Sequence, residues 1–164
     1  MPPSRIELLQ AMPIFGAIRE DMLQLLLTQA HVADRRAGEY FFRENDQALA
    51  MFVLEAGRVS IVKQWKGREY VLNQLGRGDC FGEMALMDLE PRSASVRAEE
   101  DCHALEISAG DMLELFERDP EQFALLQMNI ARELCRRLRA TDERLFRAAI
   151  GDPAADAPHP LRTI

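Results

Sequence analysis

Between about Ala33 and Ile107, glycines recur at 38, 57, 67, 76, 78 and 82, and the runs between them are short and rich in β-branched and aromatic residues. This punctuation constrains the fold more than any other feature, because it leaves no room for a long helix and repeatedly offers a turn. Residues 40–42, 51–54, 59–62, 69–72, 96–98 and 102–107 each read as a strand. Short strands at close spacing predict an antiparallel β-barrel or jelly roll, spanning 33–107. Gln64-Trp65-Lys66-Gly67 reads as a hairpin tip, with glycine free to take positive φ.

The flanks have a different period. Over 5–29, Ile6, Leu9, Met12, Ile18, Met22, Leu25 and Leu26 recur at three- and four-residue steps, and Pro13 and Gly16 are expected to divide the segment into two short helices. Ser108, with Asp111 behind it, is placed to cap a short helix over 109–118. Asp119-Pro120 then opens a long helix over 120–147, with the cap before the proline. Along it Phe123, Leu126, Ile130, Leu134, Leu138, Thr141 and Leu145 form one stripe, which suits either packing on the β domain or a coiled-coil seam. At ~1.5 Å per residue the helix is about 40 Å long, more than a small barrel can cover, which favours a homodimer through it. Residues 148–164, rich in proline and without apolar period, read as a disordered tail. The expectation is one α+β domain over 5–147, with N-terminal helices and a long C-terminal helix flanking the β region.

Charge and motifs exclude several functions. A formal net charge of −7 argues against non-specific binding to nucleic acid, although 121–150 carries six arginines against four acids. Cys80, Cys102 and Cys135 are odd in number and widely spaced, which fits free thiols in a reducing compartment and neither a disulfide framework nor a zinc site. The N-terminus lacks a signal-peptide pattern, and no apolar run spans a bilayer, so the cytoplasm is the expected location and no membrane role is foreseen. Gly76-Arg77-Gly78-Asp79-Cys80-Phe81-Gly82 misses the dinucleotide fingerprint by one residue. Glu83 has no second carboxylate, nucleophile or metal set placed beside it, so the chain is not read as an enzyme.

The densest chemistry lies in Phe81-Gly82-Glu83-Met84-Ala85-Leu86-Met87-Asp88-Leu89-Glu90-Pro91-Arg92-Ser93-Ala94-Ser95-Val96. Arg92 offers a planar fork suited to phosphate oxygens. Glu83 offers a carboxylate that can accept from a sugar hydroxyl. Gly82, Ala85, Ser93 and Ala94 let backbone approach a ligand closely, and Met84 to Leu86 can make one short turn with its N–H groups converging on an anion. Separately, Glu83 and Arg92 are equally readable as a surface ion pair. Together the residues fit a phosphodiester on a ribose.

This stretch resembles the phosphate-binding cassette of the cyclic nucleotide-binding domain family, with Met84 where leucine is usual. Leu54-x-x-Gly57-x-Val59 and Leu75-Gly76-x-Gly78-Asp79-x-Phe81-Gly82-Glu83 agree, and the likeness covers about residues 10–147. The resemblance implies a β-rich sensor fold and a cyclic nucleotide ligand, cAMP before cGMP, with no further cofactor. It implies that Glu83, beside Gly82, accepts from the ribose 2′-hydroxyl, that Arg92 pairs with the phosphate, and that the N–H groups of Ala85 and Ser93 complete the phosphate shell. Val71 and Leu75 are implied as wall residues. Arg136-Arg137-Leu138-Arg139-Ala140-Thr141-Asp142-Glu143 is similar to the base-contacting stretch of the catabolite-activator branch, which assigns Thr141 to the base and places Arg137 near the phosphate end. Asp142 departs from the serine expected there. Regulators of that branch continue into a helix-turn-helix; the proline-rich tail here favours a free-standing sensor that acts on a protein partner without binding DNA directly, with the sensor half of a regulator, or a dimerisation module that binds no ligand, as the alternatives.

Overall fold

The computed structural model describes residues 4–152. Helix α1 (Arg5–Gln10) starts with a reciprocal cap between Ser4 and Glu7, and a 3₁₀ turn over Pro13–Phe15 separates it from α2 (Glu20–Gln29). Eight strands follow: β1 (His31–Arg35), β2 (Tyr40–Phe42), β3 (Ala50–Ala56), β4 (Val59–Trp65), β5 (Arg68–Leu75), β6 (Cys80–Phe81), β7 (Ser95–Ala98) and β8 (Cys102–Ser108). A short helix α3 (Met84–Asp88) lies between β6 and β7, and α4 (Ala109–Arg118) and α5 (Pro120–Ala149) complete the order.

The strands form two four-stranded antiparallel sheets, ordered β1-β8-β3-β6 and β2-β7-β4-β5. The expected α+β jelly roll is what forms; the strands remain in two facing sheets, with no closed barrel. One apolar core fills the space between the sheets, with Phe41, Phe52, Leu54, Val59, Phe81 and Val96 among its members. A second lies between the β1-β8-β3-β6 sheet and the helices and includes Leu9, Phe15, Leu23, Met51, Val53, Leu105, Ile107, Leu115, Leu126 and Ile130. Strand β3 serves both cores. Its side chains alternate in direction, so Phe52 and Leu54 enter the first and Met51 and Val53 the second. That is why the strand reads as a continuous apolar run.

The hairpin between β4 and β5 turns on Lys66 and Gly67, both at positive φ (49° and 74°), the two-residue turn whose twist matches the strands it joins. Farther along the same pair, Ile61 faces Asn73 while Val62 faces Val71, so Leu72 is the extra residue of a bulge.

Ser108 caps α4 by accepting from the Asp111 N–H, and Asp111 returns the bond. Asp119 caps α5 through the N–H groups of Glu121 and Gln122. The stripe along α5 divides. Leu126 and Ile130 are buried in the helical core, with Phe123 and Leu134 packed at its margin. Leu138 and Leu145 are 60% and 68% exposed. Near the start of the helix, Asn129 donates to the Gly16 carbonyl at 2.8 Å and Gln122 accepts from the Arg19 N–H at 2.7 Å, fixing the N-terminal segment to it.

Helix α5 runs two residues beyond the expected end at 147, because Ala148 and Ala149 favour helix, and the chain leaves it at Gly151 with φ 73°. The rest of the expected tail, from residue 153, lies outside the described residues. No described helix is long and apolar enough to cross a membrane. Cys80, Cys102 and Cys135 are free thiols, the first two buried.

Candidate ligand-binding site

Helix α3 is short because glycine precedes it and Leu89, at φ 60°, closes it. Gly82 has φ 77°, and a Cβ there would lie 2.7 Å from Arg92 Nη1 and 3.2 Å from the Phe42 ring. Glycine is therefore required for both the turn and the space. The chain then returns through Pro91, and the backbone at Arg92 is fixed by its N–H to the Asp46 carbonyl (2.9 Å) and its carbonyl to the Asn45 N–H (2.8 Å).

A cavity of about 580 Å³ opens between this segment, strands β4 and β5, and the second half of α5. Its floor includes Phe42, Leu75, Phe81 and Val96. Phe81 stacks on Phe52 at 5.3 Å between centroids and meets Phe41 edge-on at 5.0 Å, so the floor rests on close-packed aromatic rings.

Arg92 lies 95% out of solvent. It donates from Nη1 to the Gly82 carbonyl (2.8 Å) and from Nη2 to the Ala50 carbonyl (2.6 Å), with its Cζ 3.9 Å from the Phe42 ring centroid. Its Nε is buried without a partner. Burial lowers its pKa, opposed by Asp46, Glu106 and Glu83.

Glu83 is only 2% exposed. Its Oε1 accepts from Arg137 Nη1 at 2.5 Å, and its Oε2 is buried without a partner. Burial pushes its carboxyl above the usual range, opposed chiefly by Arg137. Arg137 also donates to the Cys80 carbonyl at 2.8 Å and to Glu133 Oε1 at 3.2 Å. Its own pKa is raised: burial works against the charge, but Glu83, Cys80 and Glu133 outweigh it. Burial pushes the Cys80 thiol up to about 12, so it is inert as a nucleophile.

The cavity brings together Gly82, Glu83, Met84, Ala85, Arg92, Ser93, Ala94, Leu75, Arg137 and Thr141. Thr141 reaches it from one turn beyond Arg137 and returns its hydroxyl to the Arg137 carbonyl at 2.9 Å. Val71 is not among the lining residues and is 46% exposed. Counting back from Leu75 in twos places Asn73 and then Val71 inward, but the bulge at Leu72 shifts the alternation after Asn73, so that Leu72 lines the cavity in place of Val71.

Sequence reasoning also missed Phe42, Glu133 and Arg144 as lining residues. The helical spacing of 133, 137, 140, 141 and 144 was available as a signal, whereas no local pattern marked Phe42. Among the described residues no cluster of His, Cys, Asp and Glu is arranged to hold a metal ion.

One cavity thus gathers a buried carboxylate and a buried guanidinium beside a glycine turn, beneath the second half of α5. The chain belongs to the cyclic nucleotide-binding domain family: residues 34–119, just over half of it, match the family described by that name. This family is a regulatory module and not an enzyme class. The chain is 34% identical over 131 residues to the cyclic AMP receptor protein of Thermus thermophilus, covering 79% of this chain and 59% of that protein. It is 45% identical to a cAMP-dependent protein kinase regulatory subunit of Emericella nidulans, over 62 residues that cover 38% of this chain and 15% of that one. The crystal structure of Thermus thermophilus catabolite activator protein superposes with a TM-score of 0.72 at 32% identity, covering 84% of this chain and 63% of that one. The chain thus spans about three fifths of the length of the bacterial regulator it matches.

Proposed function

We propose that this chain is a receptor domain for cAMP that couples ligand binding to movement of α5. The observation that carries the reading is the pair of orphaned polar atoms at one cavity, Glu83 Oε2 and Arg92 Nε. A buried acceptor and a buried donor without partners are costly, and a ligand supplying a hydroxyl and an anionic oxygen relieves both. Glu83 accepts from the ribose 2′-hydroxyl. Arg92 turns from backbone carbonyls toward the phosphate, helped by the N–H groups of Ala85 and Ser93. Thr141 meets the base. The names of the relatives favour cAMP, with cGMP as the competing ligand and no cofactor besides.

Coupling to α5 runs through Arg137, which grips Glu83 from the helix. A ribose that engages Glu83 changes what Arg137 holds, and the helix equilibrium shifts by the difference in affinity between the two states. Exposed Leu138, Leu145, Phe146 and Ile150 favour a homodimer through the second half of α5, working in the cytoplasm on a downstream protein. Calorimetric titration with cAMP, cGMP and a cyclic dinucleotide tests the reading: saturable binding of cAMP ahead of the others is expected, and no binding of any would overturn it.

A further inference from the structure

The helix-facing side of the β1-β8-β3-β6 sheet carries a second group of titratable side chains, none of which lines the cavity. His103 of β8 lies on the same face of its strand as Leu105 and Ile107, the face that the helices cover. Asp34 of β1 is its register partner, Glu55 comes from β3, and Arg5 comes from the first turn of α1.

The imidazole is held at one nitrogen and contested at the other. Its Nδ1 lies 2.6 Å from Asp34 Oδ1. A carboxylate offers only lone pairs, so the hydrogen of the neutral ring belongs on Nδ1. Nε2 then presents a lone pair, which accepts from Arg5 Nη2 at 3.2 Å. Arg5 Nε also holds Glu55 Oε1 at 3.0 Å. The other oxygen, Glu55 Oε2, is buried without a hydrogen-bond partner and lies 3.3 Å from His103 Nε2. Nε2 therefore has a donor and an idle acceptor within the same reach, and its own protonation decides between them. The other acids around the ring are engaged elsewhere: Glu7 of α1 accepts from the Ser4 N–H, Glu39 from the Arg36 N–H and Asp101 from the Ala37 N–H. Of the remaining cations, Arg35 and Arg36 flank the hollow beside Asp34, and Arg77 donates to the Glu55 main-chain carbonyl.

We infer that His103 is a proton-operated latch for helix α1. Neutral, the ring accepts from Arg5 and, together with Glu55, fixes the start of α1 to the sheet. When a proton from solvent occupies Nε2, that nitrogen no longer accepts and donates to Glu55 Oε2 instead, and two cations face each other where a hydrogen bond had been. Arg5 loses one of its two anchors. Of the six residues of α1 only Leu9, one turn beyond Arg5, is fully buried, with Ile6 at the margin of the core, so the ties of Arg5 weigh heavily on the first turn. Histidine is the side chain whose charge ordinarily changes between about pH 5 and 8, which sets the range in which the latch works.

Nuclear magnetic resonance of the whole chain, between about pH 8 and pH 5, tests it. The His103 ring signals report protonation. The Arg5 side-chain carbons and hydrogen exchange at the Leu8 amide, which bonds to the Ser4 carbonyl, report the latch. The Arg5 signals are expected to move with the titration of the ring. Exchange at Leu8, corrected for its intrinsic pH dependence, is expected to rise by roughly 2- to 10-fold, the loss of one hydrogen bond. His103→Gln should abolish both responses. Arg5→Met should show raised exchange at every pH and no further rise. His31→Gln, which removes the other histidine of this sheet, should leave both responses in place. Arg5 signals that ignore the ring's titration, a rise that persists in His103→Gln, or slower exchange at Leu8 on acidification would each overturn the latch.

Discussion

Arg137 Nη1, on helix α5, donates to Glu83 Oε1 at 2.5 Å across 54 residues of sequence, and the second oxygen of the same carboxylate has no partner. The pair ties the distal half of α5 to the sandwich, and one of its members is the proposed acceptor for the ligand. On that proposal, holding the helix and holding the ligand would be linked through one carboxylate.

Arg137→Ala removes the grip and leaves Glu83 buried and unpaired, a change that costs about 3–5 kcal/mol for a buried ion pair broken on one side. Thermal melting should show the loss. Glu83→Gln in the same background should recover part of it, since the amide needs no counter-charge. Failure of the double variant to regain stability would show that Arg137 acts through other contacts.

Burial raises the Glu83 carboxyl above the ordinary glutamate value. In the ligand-free protein a raised carboxyl stabilises the fold below that value, and the contribution is lost as pH rises through the raised one. Ligand binding has the opposite slope, because accepting a ribose hydroxyl favours the carboxylate. Nucleotide affinity should fall as pH is lowered through the raised value, and Glu83→Gln should bind more weakly with a flatter pH profile. A wild-type profile as flat as that of the variant counts against Glu83 as the acceptor.

Arg92→Ala should weaken cAMP by at least about 10-fold, the loss of one charge-assisted hydrogen bond. It should also lower the melting temperature, since the side chain supports the Gly82 and Ala50 carbonyls and packs on Phe42. Arg92→Lys keeps the charge without the fork and should recover stability more than affinity. Titration and melting of both variants separate the two roles.

Gly82→Ala places a methyl 2.7 Å from Arg92 Nη1 at a φ of 77°. The backbone conformation alone costs an L-residue about 1–2 kcal/mol, and displacement of Arg92 should reduce affinity further. Unchanged binding would mean that the cassette accommodates the Cβ by moving as a unit.

Ile130→Ala, in the helical core, should cost about 2–5 kcal/mol. Leu138→Asp with Leu145→Asp, both on the exposed part of α5, should leave the fold intact and shift sedimentation from dimer to monomer. A wild-type protein that sediments as a monomer removes the case for a seam there.

The strands of the two sheets were legible because glycines bracket their apolar runs, and the helix caps because Ser108 and Asp119-Pro120 carry their own local chemistry. Strand β1 was not, since His31, Asp34 and Arg35 make it polar and its place is set by pairing with β8. Strand β6 has two residues and no period of its own. Glu83 and Arg92 were legible as a motif, but their partners were not. Val71 was misplaced for a reason no local pattern reveals: a bulge is visible only once the register of β4 against β5 is known. Phe42 reaches the site through the fold, not through any spacing from the cassette.

Helix α5 is embedded in the apolar interior only as far as Leu134, and beyond it the hold on the sandwich is polar, through Arg137 and Arg144 across the cavity. A rod clamped near one end magnifies what happens at the clamp. From Ile130 to Ala149 is about 28 Å, so a tilt of about 10° at the root sweeps the tip by roughly 5 Å. On the proposed reading, ångström-scale adjustments around a bound nucleotide would be enlarged to a displacement that another polypeptide could feel.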